Sequence, residues 1–218
     1  RCLTNNNNCY ITVVVMPPRT VLTRETIIDG AIETVRREGP TALTARSVAA
    51  TLGCSTQPIY STFGSIDALV EATVEHAVTL AFNHQMDAPD PESAFLGIGL
   101  AYLDFSRKDP NLFRFLAERG RERLSPSFEE WPFYPLTTEM RRDPILATLS
   151  EERLRSLLKN MFIYTHGLAA LAPAAPTEDD LEHERRLLRS VGGRMIAVAV
   201  MEERGEFDFE RAKGRFHP

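Results

Sequence analysis

The stretch that decides the fold runs from Leu43 to Leu69 and reads LTARSVAATLGCSTQPIYSTFGSIDAL. Its first half predicts a short helix, because Thr44 can cap the helix start and apolar residues then recur at helical spacing. Gly53 supplies the backbone freedom that ends this helix. A second helix is expected immediately afterwards, with Ser55 as its N-cap and Pro58 in its first turn, where a missing N–H costs nothing.

The spacing of these residues is that of a helix-turn-helix motif. Small Ala49 lets the two helices approach closely, Gly53 follows one turn later, and Ile59 on the second helix turns inward. The outward face of the second helix carries uncharged groups that can reach base edges and phosphates. The predicted DNA-binding residues are Thr44, Arg46, Ser55, Thr56, Gln57, Pro58, Tyr60, Ser61 and Thr62.

Two other interpretations of this pattern stay open. One is an ordinary helical hairpin, because small polar residues are also common on solvated faces. The other is a helical adaptor that binds protein and not DNA, although an adaptor does not explain why Thr56, Gln57 and Tyr60 face outward together. If the motif does bind DNA, Arg46 near the start of its first helix is the expected phosphate contact.

The stretch resembles the DNA-binding head of the TetR family of bacterial repressors. The resemblance rests on Tyr60 and Phe63, followed by a Gly-Ser turn and by an acidic residue shortly before Leu69, and it extends over about residues 23–78. One departure is Ile66, because the family often has Lys after the Gly-Ser turn. The phosphate contact expected of that Lys is therefore missing or replaced.

Composition narrows the remaining function classes. The chain has 218 residues, of which 43% are hydrophobic, so it can bury a core of its own within one or two domains. Its formal net charge of −5 argues against nonspecific coating of nucleic acid, which depends on neutralised phosphates. Residues 16–69 carry as many acidic as basic side chains, so the predicted head is neutral and has no basic patch.

Neither catalytic nor metal-binding patterns are present in the sequence. The cysteines at Cys2, Cys9 and Cys54 form no Cys-x-x-Cys pair and the histidines are scattered, so no metal, cofactor or disulfide framework is predicted. No Gly-rich phosphate loop, Gly-x-Ser-x-Gly elbow or His-Glu-x-x-His helix occurs, which argues against an enzyme. The apolar run from Ile11 to Met16 is too short to span a bilayer, so a cytoplasmic protein without membrane contact is expected.

Three regions are predicted along the chain. Residues 1–18, with an Asn run and a β-branched run, are interpreted either as a leader before a natural start at Met16 or as a disordered tail. Residues 19–64 are predicted to form the helix-turn-helix DNA-binding domain, and residues 65–218 a ligand-binding and dimerisation domain. The predicted fold class is all-α, with a three-helix head followed by a larger helical domain.

Hydrophobic periodicity predicts helices along most of the chain. The first runs from Arg24 to Glu38, with Thr23 as its cap and Gly39-Pro40 as its stop. Further helices are predicted at Ile66 to Met86, Pro91 to Lys108, Asn111 to Arg123, Glu151 to Ala172 and Thr177 to Arg204. The proline-rich stretch from Ser125 to Pro144 is expected to be a loop with short helical turns.

The last two predicted helices carry more apolar surface than one small domain needs. In the TetR family the last two long helices pair with those of a second subunit, and these two resemble them. The alternative, that they complete the core of a monomer, stays open. The residues predicted to hold a homodimer together are Leu188, Val191, Gly192, Met195 and Val198.

Aromatic and sulfur-containing side chains, such as Tyr102 and Phe162, concentrate in the middle of the chain and could line an apolar pocket. Each of them taken alone is more often a core residue. His166 stands out because its surroundings resemble a His-Gly-Leu element in one branch of TetR C-terminal domains, with a core histidine as the alternative. The predicted ligand-binding residues are Phe105, Phe113, Trp131, Met161, Tyr164 and His166.

Together with the resemblance, these features predict a homodimeric transcription regulator, a repressor, that binds a palindromic double-stranded DNA operator. The mechanism that the resemblance implies is allosteric. A small hydrophobic effector among the middle helices would shift the long helix beginning near Ile66 and change the separation of the two heads. Activation in place of repression stays open.

Overall fold

The computed structural model describes residues 4–5, 8–9, 22–87, 94–119, 134–173 and 175–208. Near the N-terminus two short strands pair antiparallel, β1 (Thr4–Asn5) and β2 (Asn8–Cys9), which the sequence did not predict. All other regular structure in the described ranges is helical, so the all-α prediction is confirmed.

The helices follow the predicted order. The first group is α1 (Arg24–Glu38), a 3₁₀ turn (Pro40–Ala42), α2 (Ala45–Thr51), α3 (Gln57–Phe63) and α4 (Ile66–Met86). The second group is α5 (Ala94–Lys108), α6 (Pro110–Arg119), α7 (Tyr134–Met140), a 3₁₀ turn (Leu146–Thr148), α8 (Glu151–Leu171) and α9 (Glu178–Glu203). In the described part of the proline-rich stretch, residues 134–144, the structure forms the two-turn helix α7, which agrees with the expected short helical turns; residues 125–133 lie outside the described residues.

Local side-chain caps determine where the first helices begin. The hydroxyl of Thr23 accepts a hydrogen bond from the backbone N–H of Thr26 (3.2 Å) at the start of α1. At α2, Thr44 and Ser47 form a reciprocal capping box with distances of 3.0 and 3.1 Å. The prediction that Ser55 caps α3 was wrong, because the first helical hydrogen bond runs from the N–H of Tyr60 to the carbonyl of Thr56 (3.3 Å), which makes Thr56 the N-cap, and no side-chain cap bond forms.

Glycine turns determine where α2 and α3 end. Gly53 adopts φ = 63° between α2 and α3, and Gly64 adopts φ = 77° directly after α3. Both values lie in the left-handed region that favours glycine. The two turns therefore fix the short length of α3 and the direction in which α4 leaves it.

Helices α1 and α5 are the central elements of the packing. Helix α1 packs against α2, α4 and α6, and α5 packs against α4, α6, α8 and α9. The buried apolar residues of both groups form one continuous cluster, from Ile27 on α1 to Leu188 on α9. In the described part of the chain no helix combines the length and the apolar character that crossing a membrane requires.

Candidate nucleic-acid interface and effector region

Helix α3 is anchored by its apolar side and exposes its polar side. Ile59 is completely buried, whereas the Tyr60 side of the helix is open to solvent, with Tyr60 itself 48% exposed. Of the predicted DNA-binding residues, Thr56 and Pro58 are half-buried, and the exposed ones are Thr44, Arg46, Ser55, Gln57, Tyr60, Ser61 and Thr62. The structure thus leaves all of these side chains accessible, on α3, on the turn before it and at the start of α2.

A close contact and a polar network hold α2 against α1. A Cβ atom on Gly30 would lie 2.7 Å from Cδ2 of Leu52, so any other residue at position 30 would force the Leu52 side chain to move. The hydroxyls of Thr34 and Thr51 are 2.8 Å apart, and Nη2 of Arg37 donates to the Thr51 hydroxyl (3.0 Å). Because α3 follows α2 through a tight turn, these contacts also fix the position of α3.

Two of the arginines in residues 22–64 are tied to carboxylates. Nε of Arg36 lies 2.6 Å from a carboxylate oxygen of Asp109, and Nη2 of Arg37 lies 2.5 Å from one of Glu38. Arg46 is exposed and has no ion-pair partner among the described residues. Arg24 is exposed too, and its guanidinium carbon lies 4.6 Å from the ring centre of Phe63.

The first helix is also joined directly to the sixth. Besides the Arg36–Asp109 pair, the side-chain amide of Asn111 donates to the backbone carbonyl of Arg36 (2.7 Å). Asp109 and Asn111 lie where α5 ends and α6 begins. We call these two contacts the α1–α6 junction, and they connect the helix-turn-helix region to the middle helices.

Two of the predicted effector residues, Phe113 and His166, meet in one aromatic cluster. The hydroxyl of Tyr102 lies 2.8 Å from Nδ1 of His166. The His166 ring is 5.4 Å from the ring of Phe113 and 5.7 Å from that of Phe162, measured between centroids. The aromatic cluster therefore joins α5, α6 and α8.

Burial keeps the polar groups of the aromatic cluster neutral. It lowers the pKa of His166 below its ordinary value of 6.5, and it raises the pKa of Tyr102. With both groups neutral, the Tyr102 hydroxyl and Nδ1 of the imidazole share one hydrogen bond, whose donor is set by the tautomer of the imidazole. The cluster is thus an apolar environment with one internal hydrogen bond.

The other predicted effector residues lie in ordinary packing positions or cannot be placed. Phe105 is buried with its ring 5.9 Å from that of His84, and Met161 is buried against Gly192. Tyr164 is half-buried against the core, and Trp131 lies outside the described residues. The sequence grouped these side chains by type, but the structure does not bring them together as the lining of one pocket.

Two surface clefts occur elsewhere in the helical domain. One of about 290 Å³ lies between α5 and α9, with Arg107, Leu100 and Leu103 in its lining. A second of about 430 Å³ lies between α8 and α9 and is lined in part by Met195 and Val198. None of the five described effector residues of the prediction lines either cleft.

The residues predicted to hold a dimer divide between core and surface. Leu188 is 2% exposed and packs near Gly99, and Gly192 is buried against Met161. This burial corrects the prediction for Leu188 and Gly192, because their contacts lie within the subunit itself. The residues that still reach the surface are Val191, Met195 and Val198, and Val198 is 40% exposed.

Comparisons with known proteins point to one family. Residues 27–73 match the model of the bacterial regulatory proteins, tetR family. One similar structure is that of the TetR family repressor AlkX from Dietzia sp. strain DQ12-45-1b, which is implicated in biodegradation of n-alkanes. It is 19% identical to this chain, the alignment covers 80% of this chain and 95% of AlkX, and the TM-score is 0.50. A tetR-family transcriptional regulator from Streptomyces coelicolor is 18% identical, with 88% and 94% covered and a TM-score of 0.53. No curated protein matches the sequence, and the likeness to the two structures concerns the fold.

Proposed function

We propose that this chain, which belongs to the TetR family of bacterial regulatory proteins by its N-terminal region, is a homodimeric repressor of transcription. It binds a palindromic double-stranded operator and is released from it by a small hydrophobic effector. The observation that carries the proposal is the exposed polar face of α3, held by a buried Ile59 beneath it. Similarity to the fold of a known repressor favours repression over activation.

The DNA contact is divided among residues with different chemistry. Gln57 reads a base edge through its amide, which can both donate and accept hydrogen bonds. Tyr60 and the small hydroxyl residues beside it contact phosphates, and so does Arg46 at the start of α2. Helix α3 has only about two turns, so it makes few base contacts and one head alone binds weakly.

A second copy of the chain supplies the second head. The outer sides of α8 and α9 carry large apolar side chains whose exposure to water is unfavourable. Ile163 is 52%, Leu171 86% and Val198 40% exposed. Pairing these helices across a two-fold axis covers that surface and sets two α3 helices about 34 Å apart, one turn of the DNA.

The aromatic cluster is the part of the structure that favours an effector site. It is apolar apart from the Tyr102–His166 hydrogen bond, which suits a hydrophobic molecule with one hydrogen-bonding group. Phe113 extends into it from α6, and α6 begins at the α1–α6 junction. A ligand that displaces Phe113 would therefore move α6 and, through the junction, the head. The link between AlkX and n-alkanes is in line with an apolar effector class.

A mobility-shift titration with the DNA that flanks the gene, followed by addition of hydrophobic compounds, tests the proposal. We expect a shift on one fragment and not on a scrambled duplex of equal length. An effective compound should weaken that complex with a coupling of about 1 to 3 kcal/mol. Phe113→Ala should change the response to the compound more than the DNA affinity in its absence.

The outcomes separate the parts of the proposal. Absence of a specific shift on every flanking fragment would contradict DNA regulation and favour the helical adaptor. A specific shift that no hydrophobic compound reverses would leave the repressor and remove the effector. Sedimentation of the chain as a monomer at micromolar concentration would contradict the dimer.

A further inference from the structure

The start of α1 lies beside the end of the recognition helix α3. The two elements are distant in sequence, but the guanidinium of Arg24 is placed 4.6 Å from the ring centre of Phe63, the last residue of α3. This is the distance of a cation–π contact, in which the guanidinium carbon lies over the ring. The contact holds a positive charge next to α3.

Helical geometry places this charge at the edge of the DNA-facing side. Residues three apart on a helix are neighbours, so Phe63 lies next to Tyr60 and on the opposite side from Ser61. Tyr60 is one of the exposed residues of the polar face, whereas Phe63 is half-buried toward α1. A cation over Phe63 therefore borders the polar face on its α1 side.

The charges of the head leave few cations for a DNA phosphate. The described residues 22–64 contain four arginines, and Arg36 and Arg37 are tied to Asp109 and Glu38. Arg24 and Arg46 have no carboxylate within 4.0 Å in the described ranges. The hydrogen bonds of Glu25 to its own backbone N–H and to Thr23, with a smaller attraction to Arg24, lower the pKa of Glu25, but its carboxylate lies more than 4.0 Å from the Arg24 guanidinium.

We infer that Arg24 is a second phosphate-contacting arginine of the DNA interface, beside Arg46, and that Phe63 positions it. The contact with the ring uses no N–H hydrogen bond, so the N–H groups of the guanidinium stay available to donate to phosphate oxygens. The inference rests on the proposed function, since it assigns a further residue to the same DNA site. It also explains how a neutral head without a Lys at position 66 reaches the backbone of DNA.

The test is the salt dependence of DNA binding, measured on the shifted fragment and on a scrambled duplex. Each phosphate contact contributes about 0.9 to the slope of log affinity against log salt, so Arg24→Gln in a dimer should reduce the slope by about 1.8. Raising the salt from about 50 to 200 mM weakens DNA binding. The factor by which it weakens Arg24→Gln should be about twelve times smaller than the factor for the wild type. The reduction should be equal on both duplexes, because phosphates carry no sequence information.

Matched variants isolate the contact from overall charge and from folding. Arg142→Gln removes the same charge from an exposed position after α7, where Glu139 already pairs with it at 2.7 Å, and should leave the slope unchanged. Arg24→Lys keeps the charge and should restore most of the slope. Phe63→Leu removes the ring but not the charge, and in that background Arg24→Gln should have a smaller effect on affinity.

Each outcome decides a different question. Equal slope changes in Arg24→Gln and Arg142→Gln would show only the effect of net charge and overturn the inference. So would an Arg24→Gln slope identical to the wild type, with the shift on the specific fragment intact. A wild-type chain that binds neither duplex would instead end the proposed function, and this inference with it.

Discussion

The three-helix head (residues 22–64) and the helical body (residues 94–208) differ in the span of the contacts that shape them. In the head, hydrogen bonds between neighbours on the chain, such as Thr23 with Thr26 and Thr44 with Ser47, fix the helix ends. In the body, the long helices are tied by distant pairs, such as Arg153 with Glu202 at 2.6 Å. Helix ends set by local contacts keep their geometry in many settings, whereas the arrangement of long helices tied by distant pairs depends on all of those helices together.

The largest effect is expected from a charge on the exposed side of α9. Val198→Asp should separate the subunits while each stays helical, because Val198 is 40% exposed within one subunit. Operator affinity should then fall by a factor on the order of 10² to 10⁴, since the second head no longer binds together with the first. Sedimentation and DNA titration measure the two effects.

Leu188→Asp is the contrasting variant for this experiment. Its side chain is buried, so the substitution should unfold the body itself, visible as a loss of helical circular dichroism. A Val198→Asp protein that remains dimeric and binds its operator normally would contradict the proposed dimer surface.

Two substitutions that each open a cavity, one in the head and one in the body, should have different effects on DNA binding. Ile59 in α3 and Leu154 in α8 are both fully buried, so changing either to Ala should lower the free energy of unfolding by about 2 to 5 kcal/mol. Only Ile59→Ala should also weaken DNA binding in the protein that remains folded, because Ile59 anchors α3. Urea titration and anisotropy at low temperature measure both quantities. Equal losses of DNA affinity would contradict this division.

Within the head, base reading should separate from backbone contact. Gln57→Ala should reduce the preference for the operator over a scrambled duplex by about 1 to 3 kcal/mol, the range for a good bidentate contact. Tyr60→Phe should weaken binding to both duplexes alike. The measurement is the ratio of the two affinities, and a ratio that Gln57→Ala leaves unchanged would remove Gln57 from specificity.

The smallest effect is expected in the pH dependence of the stability of the body. The pKa of His166 is lowered by burial, so the unfolded chain binds a proton at a higher pH than the folded chain does. The stability should therefore fall as the pH drops below about 6.5, the ordinary histidine value, and the loss is complete below the folded pKa. His166→Gln should remove this part of the pH-dependent loss of stability, which thermal melts at a series of pH values from about 7.5 to 5 measure. A series identical to that of the wild type would contradict a neutral buried imidazole.

The predictable part of the structure follows the same division between local and distant contacts. Thr23, Thr44 and Gly53 carry local signals for caps and turns, and the structure uses all three as predicted. The error at Ser55 is a shift of one residue, because the carbonyl of Thr56, one residue later, accepts the first helical hydrogen bond of α3. A local pattern indicates that a helix begins but leaves two adjacent polar residues as candidates for its cap.

Predictions in the body were limited by what the helices pack against. Periodicity groups Leu188 and Val198 on an apolar helix but does not state that one meets α5 and the other water. The Tyr102–His166 bond joins residues 64 positions apart, so no local pattern indicates it. The contact of Arg24 with Phe63 was missed for the same reason. It depends on how α1 and α3 pack against each other, which the sequence pattern of neither helix indicates.

The α1–α6 junction has a consequence for domain exchange. Arg36 belongs to the head, whereas Asp109 and Asn111 belong to the body. A chimera that fuses this head to the body of another regulator would keep its capped helices and its recognition face but would receive only one side of the junction. Such a chimera would bind operator DNA without reporting the state of its new body, until an acid and an amide equivalent to Asp109 and Asn111 are grafted with the head.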